Sequence, residues 1–434
     1  MKATAWVRKG QRRFPLRLLL CWVFCSIALA QPPVKLTLKE AEEVALKNHP
    51  QIQASLLNAL AANEVPTEVR AIKYPLLSVN VTGAGANDNA RITAGALNNP
   101  TILSRGATGL SVNQLVYDFG RTNELIEAAH LRAQAADQYV QATREQIIFQ
   151  VDRAYFNTLK AQAVLRVAEQ TVKARALVVE QVEALKQSGL KSGLDVSFVN
   201  YNLAEAKLLL ARSQNDVKAA YAELSTALGS QEEQTYELAE ESSPAALPQT
   251  DLVNEALQKR PDLSALQFEV NAAHRFWDAE KKLGKPSVSA IWSVGVTPFG
   301  DSRLSKYYNA IGVNVSIPIL NGHLFTARAA EAAFRARATE QVLKVAENQV
   351  ARDVRVAQLN VNTAFQRLGL AAQLLLRAQE SQDLAQERYR LGLSSIVEFN
   401  QSQLNVTIAE IENANARYDY LIQRAVLRYQ TTSH

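Results

Sequence analysis

The spacing of apolar positions alternates between a helical and a strand-like period, in the same order in both halves of the chain. Helical spacing predicts helices of moderate length at Leu38–Ile72 and Asp251–Leu283. Each has one proline near its start, where proline is tolerated, and another just past its end, where proline stops a helix. These four prolines are Pro50, Pro75, Pro261 and Pro286.

Two strand-like runs follow each of these helices. In Leu76–Gly83 and in Ile311–Ile319, apolar residues alternate with small or polar ones. This period of two predicts strands with one apolar face. The run Gly109–Tyr117 changes phase at Gln114, which predicts one inserted residue, such as a β-bulge. The loops between the strands are predicted at Gly85–Arg105 and Pro298–Lys306.

A very long helix comes next in each half. Arg121–Gln187 contains no glycine or proline, and His323–Arg390 contains Gly369 alone. At about 1.5 Å per residue each helix is about 100 Å long, and such length without caps is typical of coiled coils. Return helices of about half that length are predicted at Asp195–Leu228 and Glu398–Thr431.

The two halves align as an internal duplication. Pro50 aligns with Pro261 without a gap, and the Gly189-Leu190 pair aligns with Gly392-Leu393 further along. One duplicated unit therefore covers nearly the whole chain after its first residues. The predicted divisions are a signal peptide at 1–30, a first structural repeat at 31–230, a linker in an equatorial region at 231–250 and a second structural repeat at 251–434.

The first thirty residues have the composition of a secretory signal peptide, with six bases, no acid and an apolar run ending in Ala-Leu-Ala. Without them the net charge falls from +5 to about −1, so the basic composition does not indicate nucleic-acid binding. Cys21 and Cys25 both lie there, and neither follows the small residue that lipid-anchor cleavage requires. We therefore expect an exported chain without disulfides or a lipid anchor.

No later segment has eighteen consecutive apolar residues, so a membrane would be met by the strands. Four strands cannot close a barrel alone, and unpaired backbone groups in lipid cost several kcal/mol each. Closed bacterial barrels have at least eight strands, which three chains would supply. The pattern predicts a mainly α protein with a β portion, in which several copies together form an α-helical barrel of long hairpins, continued by a transmembrane β-barrel with four strands per chain.

Several segments then resemble the TolC family of outer-membrane efflux channels. They are "SVNQLVYDFGR", "VNVSIPILNGH", "GLKSGLDV" and "RYRLGLSSIVEF" with the later "ANARYDYLIQ". The resemblance runs from about Leu36 to Gln430. It implies a homotrimer in the outer membrane that extends into the periplasm, as the passive exit duct of a tripartite efflux or type I secretion system. The implied partners are a periplasmic adaptor (membrane fusion) protein, an inner-membrane transporter and outer-membrane lipid.

The glycine-marked turns at the helical tips have two interpretations. Turn chemistry accounts for the left-handed glycines that end a helix and for capping boxes at Ser192–Asp195 and Ser395–Glu398. The resemblance implies that the same tips dock the adaptor, and a leucine exposed at each tip is an independent indication of a contact. The docking residues implied are Gly189, Leu190, Lys191, Ser192, Gly392, Leu393, Ser394 and Ser395.

The resemblance also implies a periplasmic gate. It places an acidic ring on Glu398, where like charges would raise each other's pKa and attract cations. The family's second acid is Gln401 here, which weakens the ring. The family's tyrosine-to-aspartate link falls on Tyr389 and Asp195, while its arginine position is Ser394. The alternatives are helix capping for both acids and ordinary packing for the tyrosine.

Other chemistry has little support in the sequence. The histidines are scattered without ligand spacing, and there is no nucleotide-binding or catalytic-triad motif, so we expect no enzyme activity, cofactor or metal site. The alternative function is that of a periplasmic coiled-coil adaptor or structural protein without a pore. An adaptor would have one hairpin between β-rich flanks rather than two hairpins and two strand pairs. The sequence does not identify the cargo.

Overall fold

The computed structural model describes residues 35–85, 87, 103–230, 236–240 and 251–431. The predicted signal peptide and most of the predicted loop 85–105 and linker 231–250 lie outside the described residues. The first half contains β1 (Lys35–Leu36), α1 (Leu38–Asn48), α2 (Pro50–Ala71), β2 (Leu76–Ala84), β3 (Arg105–Tyr117), α3 (Arg121–Gln187) and α4 (Gly193–Ala227). The second contains β4 (Glu237–Leu238), α5 (Leu252–Lys259), α6 (Pro261–Lys281), β5 (Ser287–Gly300), β6 (Tyr307–Ser316), α7 (Leu324–Arg390) and α8 (Ile396–Thr431).

The predicted fold class, mainly α with a β portion, is confirmed, and the elements of the two halves follow in the same order. The exact division into repeats at 31–230 and 251–434 stays a prediction. Among the described residues, no helix combines the length and the apolar character that crossing a membrane requires.

The prediction of a single moderate helix in each half is wrong, because both helices break one residue before a proline. His49 and Arg260 have ψ angles of 123° and 124°, in the extended region. A proline ring disfavours the helical conformation for the residue before it. Pro50 and Pro261 instead begin the following helix, where their missing N–H is not needed.

The long helices match their predictions closely. α3 has the predicted bounds, and α7 begins at Leu324 because His323 takes a left-handed φ of 65°. The return helices α4 and α8 each begin two residues earlier than predicted, directly after a serine. α3 packs along α4 and α7 along α8, while a contact between α3 and α8 joins the two hairpins.

Small buried residues set the spacing within the second hairpin. Buried alanines recur every seven residues along the lower half of α7, at Ala357, Ala364, Ala371, Ala378 and Ala385. A sustained seven-residue repeat is the pattern of a left-handed coiled coil, as predicted for the long helices. Alanine at these positions lets the partner helix approach closely.

The strands form one antiparallel sheet in the order β2-β3-β5-β6. Its register confirms that the two faces differ in polarity. Ser78, Ser111 and Ser293 share one face, where Ser78 Oγ and Ser111 Oγ lie 2.7 Å apart. Residues on the other face include Leu77, Val79, Val112, Val294, Ile311 and Val313.

The predicted insertion in β3 is confirmed as a bulge. Leu115 pairs with Ser289 and Tyr117 with Val288, which leaves Val116 as the extra residue. Two strand ends differ from prediction. β6 stops at Ser316 because Pro318 cannot donate to the ladder, and β5 continues to Gly300, into the predicted loop, because Arg105 pairs with it.

The largest core cluster lies midway along the long helices, where α3 and α8 meet α1, β1 and β4. We call this the equatorial core. Tyr155 is fully buried within it, and its hydroxyl lies 2.9 Å from Leu36 O and 2.8 Å from Ala239 O. This side chain on α3 therefore anchors the short parallel pair β1–β4 to the helices.

A buried ionic cluster stands beside the equatorial core. The Arg428 guanidinium contacts Asp152, and its Nη2 lies 2.8 Å from Glu42 Oε1. Burial raises the pKa of Asp152 to about 7, although Arg428 acts in the opposite direction. Asp152 Oδ1 has no hydrogen-bond partner among the described residues, so protonation of this carboxyl removes a buried charge that is incompletely compensated.

We predict that Asp152 makes the folded chain more stable in mild acid. Its pKa is raised from 3.8 to about 7 by folding. Its contribution to the free energy of unfolding is therefore complete below about pH 4 and is lost as the pH rises to about 7. In the wild type this contribution should raise the free energy of unfolding by on the order of 1–3 kcal/mol between pH 8 and pH 5. Asp152→Asn should abolish that rise. The measurement is urea unfolding at each pH, followed by circular dichroism.

The control is Asp419→Asn, which removes a partly exposed ion pair with Lys160 at 2.8 Å and should leave the pH trend as in the wild type. Equal pH trends in the wild type and Asp152→Asn would contradict the assignment.

Candidate functional site at the helical tips

The two hairpins end in turns of the same construction. Gly189 and Gly392 have φ angles of 75° and 74°, so their predicted left-handed conformation is confirmed. Leu190 N donates to Leu185 O at 2.9 Å, and Leu393 N donates to Arg388 O at 2.8 Å. This is the Schellman arrangement that ends helices at glycine. A Cβ on either glycine would meet nothing within 4 Å, so backbone conformation rather than space requires glycine there.

The turns leave apolar side chains in water. Leu190 is 70% exposed and Leu393 is 67% exposed, which confirms the expected exposure at both tips. Neighbouring Leu194 and Leu391 are also exposed. Each tip of the single chain therefore presents a small apolar surface at the far end of its hairpin.

The first tip closes with a complete capping box. Ser192 N and Ser192 Oγ donate to Asp195 Oδ2 at 2.9 and 2.8 Å, and Asp195 N donates back to Ser192 Oγ at 3.2 Å. These bonds, the one from the Ser192 backbone first, lower the pKa of Asp195. Asp195 therefore acts as a helix cap in this structure.

The predicted link between Tyr389 and Asp195 is not formed. The Tyr389 hydroxyl is buried and has no hydrogen-bond partner among the described residues. Its ring instead stacks on Phe399, with centroids 5.3 Å apart and planes 7° apart. Lys191 Nζ lies 4.5 Å from the same ring centroid, a cation–π distance. Tyr389 thus joins the two tips through packing.

The second tip has only half of the predicted capping box. Glu398 N donates to Ser395 Oγ at 3.3 Å, but the Glu398 carboxylate turns toward Arg388 Nε at 3.5 Å. Both side chains of this ion pair are about half exposed. Ser395 therefore caps the helix through its hydroxyl, while the Glu398 carboxylate lies next to Arg388 and takes no part in the cap.

The remaining predicted gate residues stay apart from this pair. Gln401 Nε2 donates to Asn405 Oδ1 at 3.0 Å along α8. Arg390 pairs with Glu387 at 2.8 Å, so it does not replace the arginine missing at Ser394. Ser394 Oγ is buried without a hydrogen-bond partner among the described residues.

A buried arginine above the tips was not predicted from the sequence. Arg175 on α3 is 7% exposed, and its Nη1 donates to Asn400 Oδ1 at 3.0 Å and Gln403 Oε1 at 2.6 Å on α8. Burial lowers the pKa of Arg175, and Glu205 acts in the opposite direction. The sequence does contain one indication of this contact. Asn400 and Gln403 are three residues apart, so their amides lie on the same face of the return helix.

Arg175 clamps the two hairpins together just above the apolar cluster that holds Phe399. A groove of about 440 Å³ opens beside it between α3, α4 and α8. In the part of the chain that the structure describes, no three metal-binding side chains are grouped. The site as a whole consists of two apolar tips, exposed ion pairs at the second tip and a buried polar clamp.

Comparison with known proteins gives consistent matches along the chain. The model of the family described as outer membrane efflux protein matches residues 43–230 and 252–431. The outer membrane protein TolC of Vibrio cholerae serotype O1 is 25% identical over 404 residues, which are 90% of this chain and 89% of that protein. The outer membrane protein TolC of Escherichia coli K12 is 24% identical over 423 residues, covering 92% and 82%. The CmeC outer membrane channel of Campylobacter jejuni shares the fold, with a TM-score of 0.78 at 16% identity, covering 91% and 85%.

We predict that Arg175→Met loosens the contact between the hairpins near the tips. The change keeps the length of the side chain but leaves two buried amide oxygens without their donor, which costs about 1–3 kcal/mol. Backbone amides at the start of α8 should therefore exchange hydrogen about five- to 150-fold faster, as measured by mass spectrometry.

Arg212→Met, which removes an exposed arginine lining the same groove, should leave exchange in α8 unchanged. Equal exchange in the wild type and Arg175→Met would show that the clamp does not hold the hairpins.

Proposed function

Because the chain belongs to the outer membrane efflux protein family, we propose that three copies of it form the exit duct of a tripartite efflux or type I secretion system. The chain is an outer-membrane efflux channel that extends into the periplasm. Efflux channels of this family are not enzymes, and we infer that cargo passes without chemical change. The observation that carries the proposal is a sheet with one apolar and one polar face at the base of two very long hairpins.

The edges of the sheet support a trimer. β2 and β6 each have one unpaired edge within the described residues, and β6 is exposed along its whole length. Backbone groups left unpaired in lipid cost several kcal/mol each. Pairing β6 of one copy with β2 of the next removes these edges and closes the ring. The apolar face then meets lipid and the serine-rich face lines the lumen.

The helices require the same neighbours. α7 keeps a series of exposed leucines, including Leu359, Leu370, Leu374 and Leu384. Side chains of this size are not left in water along a rod of about 100 Å. Burial against the hairpins of adjacent copies removes them from water and produces a helical tube in line with the strands.

We propose Glu398 as the acid of the periplasmic gate, and Asp195, Tyr389 and Gln401 as the other residues of that gate. In a trimer one Glu398 from each copy would face the axis and attract cations. Arg388 stands beside each of them, 3.5 Å from the carboxylate, and Gln401 adds no charge. The ring is therefore expected to bind cations weakly.

Planar bilayers test both the duct and the gate. The purified protein should form trimers that resist SDS and insert as ion-conducting channels, with Mg²⁺ block from the periplasmic side. Glu398→Gln should weaken this block about threefold or more because the ring loses its charge.

Glu380→Gln, which removes an exposed acid paired with Arg377 further from the tip, should keep the wild-type block. Unchanged block in Glu398→Gln would show that Glu398 is not the acid of the gate. A wild-type protein recovered as a soluble periplasmic monomer would instead support the coiled-coil adaptor or structural alternative.

We propose that the tips dock a periplasmic adaptor protein, which connects the duct to an inner-membrane transporter. Support comes from the exposed leucines Leu190 and Leu393, which both follow a left-handed glycine. The other docking residues proposed are Gly189, Lys191, Ser192, Gly392, Ser394 and Ser395.

Charged substitution at the tips should abolish docking. Leu190→Asp combined with Leu393→Asp replaces apolar contact with unpaired charge, and adaptor cross-linking from Lys191 in cells should fall about tenfold or more. The matched control, Leu190→Met with Leu393→Met, keeps an apolar surface and should cross-link as the wild type does. Full cross-linking by the aspartate variant would place the adaptor contact elsewhere.

A further inference from the structure

Tyr308 lies on the polar face of the sheet, near the end of the strands that is far from the helices. Its cross-strand partner on β5 is Gly295, whose partner on β3 is Gly109. The row continues to Asn80 on β2. Residues in direct register share a face, and this row is two residues from the serine row of Ser78, so it belongs to the polar face.

The Tyr308 side chain lies across the two glycines. A Cβ on Gly295 would lie 2.5 Å from Tyr308 Cζ, and a Cβ on Gly109 would overlap the Tyr308 hydroxyl. Neighbouring strands are about 4.8 Å apart, so this side chain extends from β6 over β5 to β3. A Cβ on Gly109 would also lie 2.6 Å from Val294 O, and a Cβ on Gly295 would lie 2.5 Å from Thr108 O, so the tyrosine and the neighbouring backbone together exclude a side chain at both positions.

The slot determines which part of the tyrosine meets solvent. The hydroxyl end of the ring lies over both glycines, and the side chain as a whole remains 37% exposed. The exposed part of the ring is therefore the part directed away from the two glycines. An exposed aromatic ring attracts cations and stacks with flat rings.

We propose that Tyr308 is a specificity-determining residue of the duct, whose partly exposed ring contacts organic cations and planar aromatic cargo near the outer mouth. The inference rests on the proposed function, because it requires the polar face to line the lumen. A trimer would present one such ring from each copy along the wall. The glycine slot holds each side chain along the sheet, so that the aromatic surface is gained without a side chain projecting into the path of the cargo.

The neighbouring tyrosine provides a matched control. Tyr307 is 75% exposed and lies on the apolar face, since successive strand residues point to opposite sides. It pairs with Val296 on the same face. Removal of the Tyr307 ring takes away the same chemistry from the lipid side and leaves the lumen unchanged.

The test uses the full chain in planar bilayers, with tetraphenylphosphonium added on the side of the β5–β6 loop. Wild type, Tyr308→Phe and Tyr307→Ala should show equal block. Tyr308→Ala removes the ring from every copy of the chain. Each lost ring that contacts the cation should weaken its binding about two- to fivefold, and the channel should conduct more current. Tyr308→Leu keeps bulk without the aromatic face, so its block should weaken while its conductance stays near that of the wild type.

Block that is unchanged in both Tyr308→Ala and Tyr308→Leu overturns the inference while leaving the duct intact. If Tyr308→Ala does not assemble, Tyr308→Leu decides alone. A wild-type protein that forms no channels overturns the proposed function instead, so the two failures are distinguishable.

Discussion

Backbone hydrogen bonding at the edges of the sheet is the constraint from which the rest of the structure follows. One chain supplies four strands, and the outer edges of β2 and β6 have no partner within the described chain. Water satisfies such groups, but lipid does not. A chain of this design must therefore join copies of itself before its strands are stable in a membrane. The threefold arrangement that we propose for the strands also fixes the arrangement of the helices, since each strand pair leads directly into a long helix.

The long helices need support away from the sheet, and they receive it at two levels. The equatorial core surrounds Tyr155 at mid-length and ties the short strands β1 and β4 to α3. Nearer the tips, Arg175 bonds with the amides of α8 instead of a carboxylate. An apolar layer would hold the hairpins together at a lower desolvation cost. A buried cation loses its hydration, and two amide oxygens replace that hydration only in part. Buried polar contacts are known to specify the register between packed helices, which an apolar layer specifies less strictly.

The period of the apolar positions and the absence of glycine and proline were sufficient to predict the long elements. The errors arose next to a proline and at contacts that local spacing does not determine. The bounds of α3 and the bulge in β3 follow from local spacing, which tertiary contacts do not alter. The break at His49 was missed because Pro50 was taken as a tolerated first-turn residue, without regard to its effect on the preceding ψ angle. Arg175 was missed because an arginine within a long helix is usually solvated, and its burial depends on a partner more than two hundred residues away. The link from Tyr389 to Asp195 was carried over by resemblance, and the nearer serine took the carboxylate instead.

The two tips show how a duplicated motif acquires different chemistry. Asp195 and Glu398 occupy equivalent positions three residues after a serine. The shorter carboxylate reaches back to Ser192 and completes a capping box, so its charge is used within the turn. Glu398 has one more methylene and an arginine within reach, and its carboxylate leaves the turn for Arg388. The same backbone therefore holds one acid that serves folding and one whose charge remains half exposed. If the acids faced the axis of a trimer, the electrostatic field at the axis would come from Glu398 and Arg388 together. The attraction for cations would then depend on the strength of this ion pair and not on the acid alone.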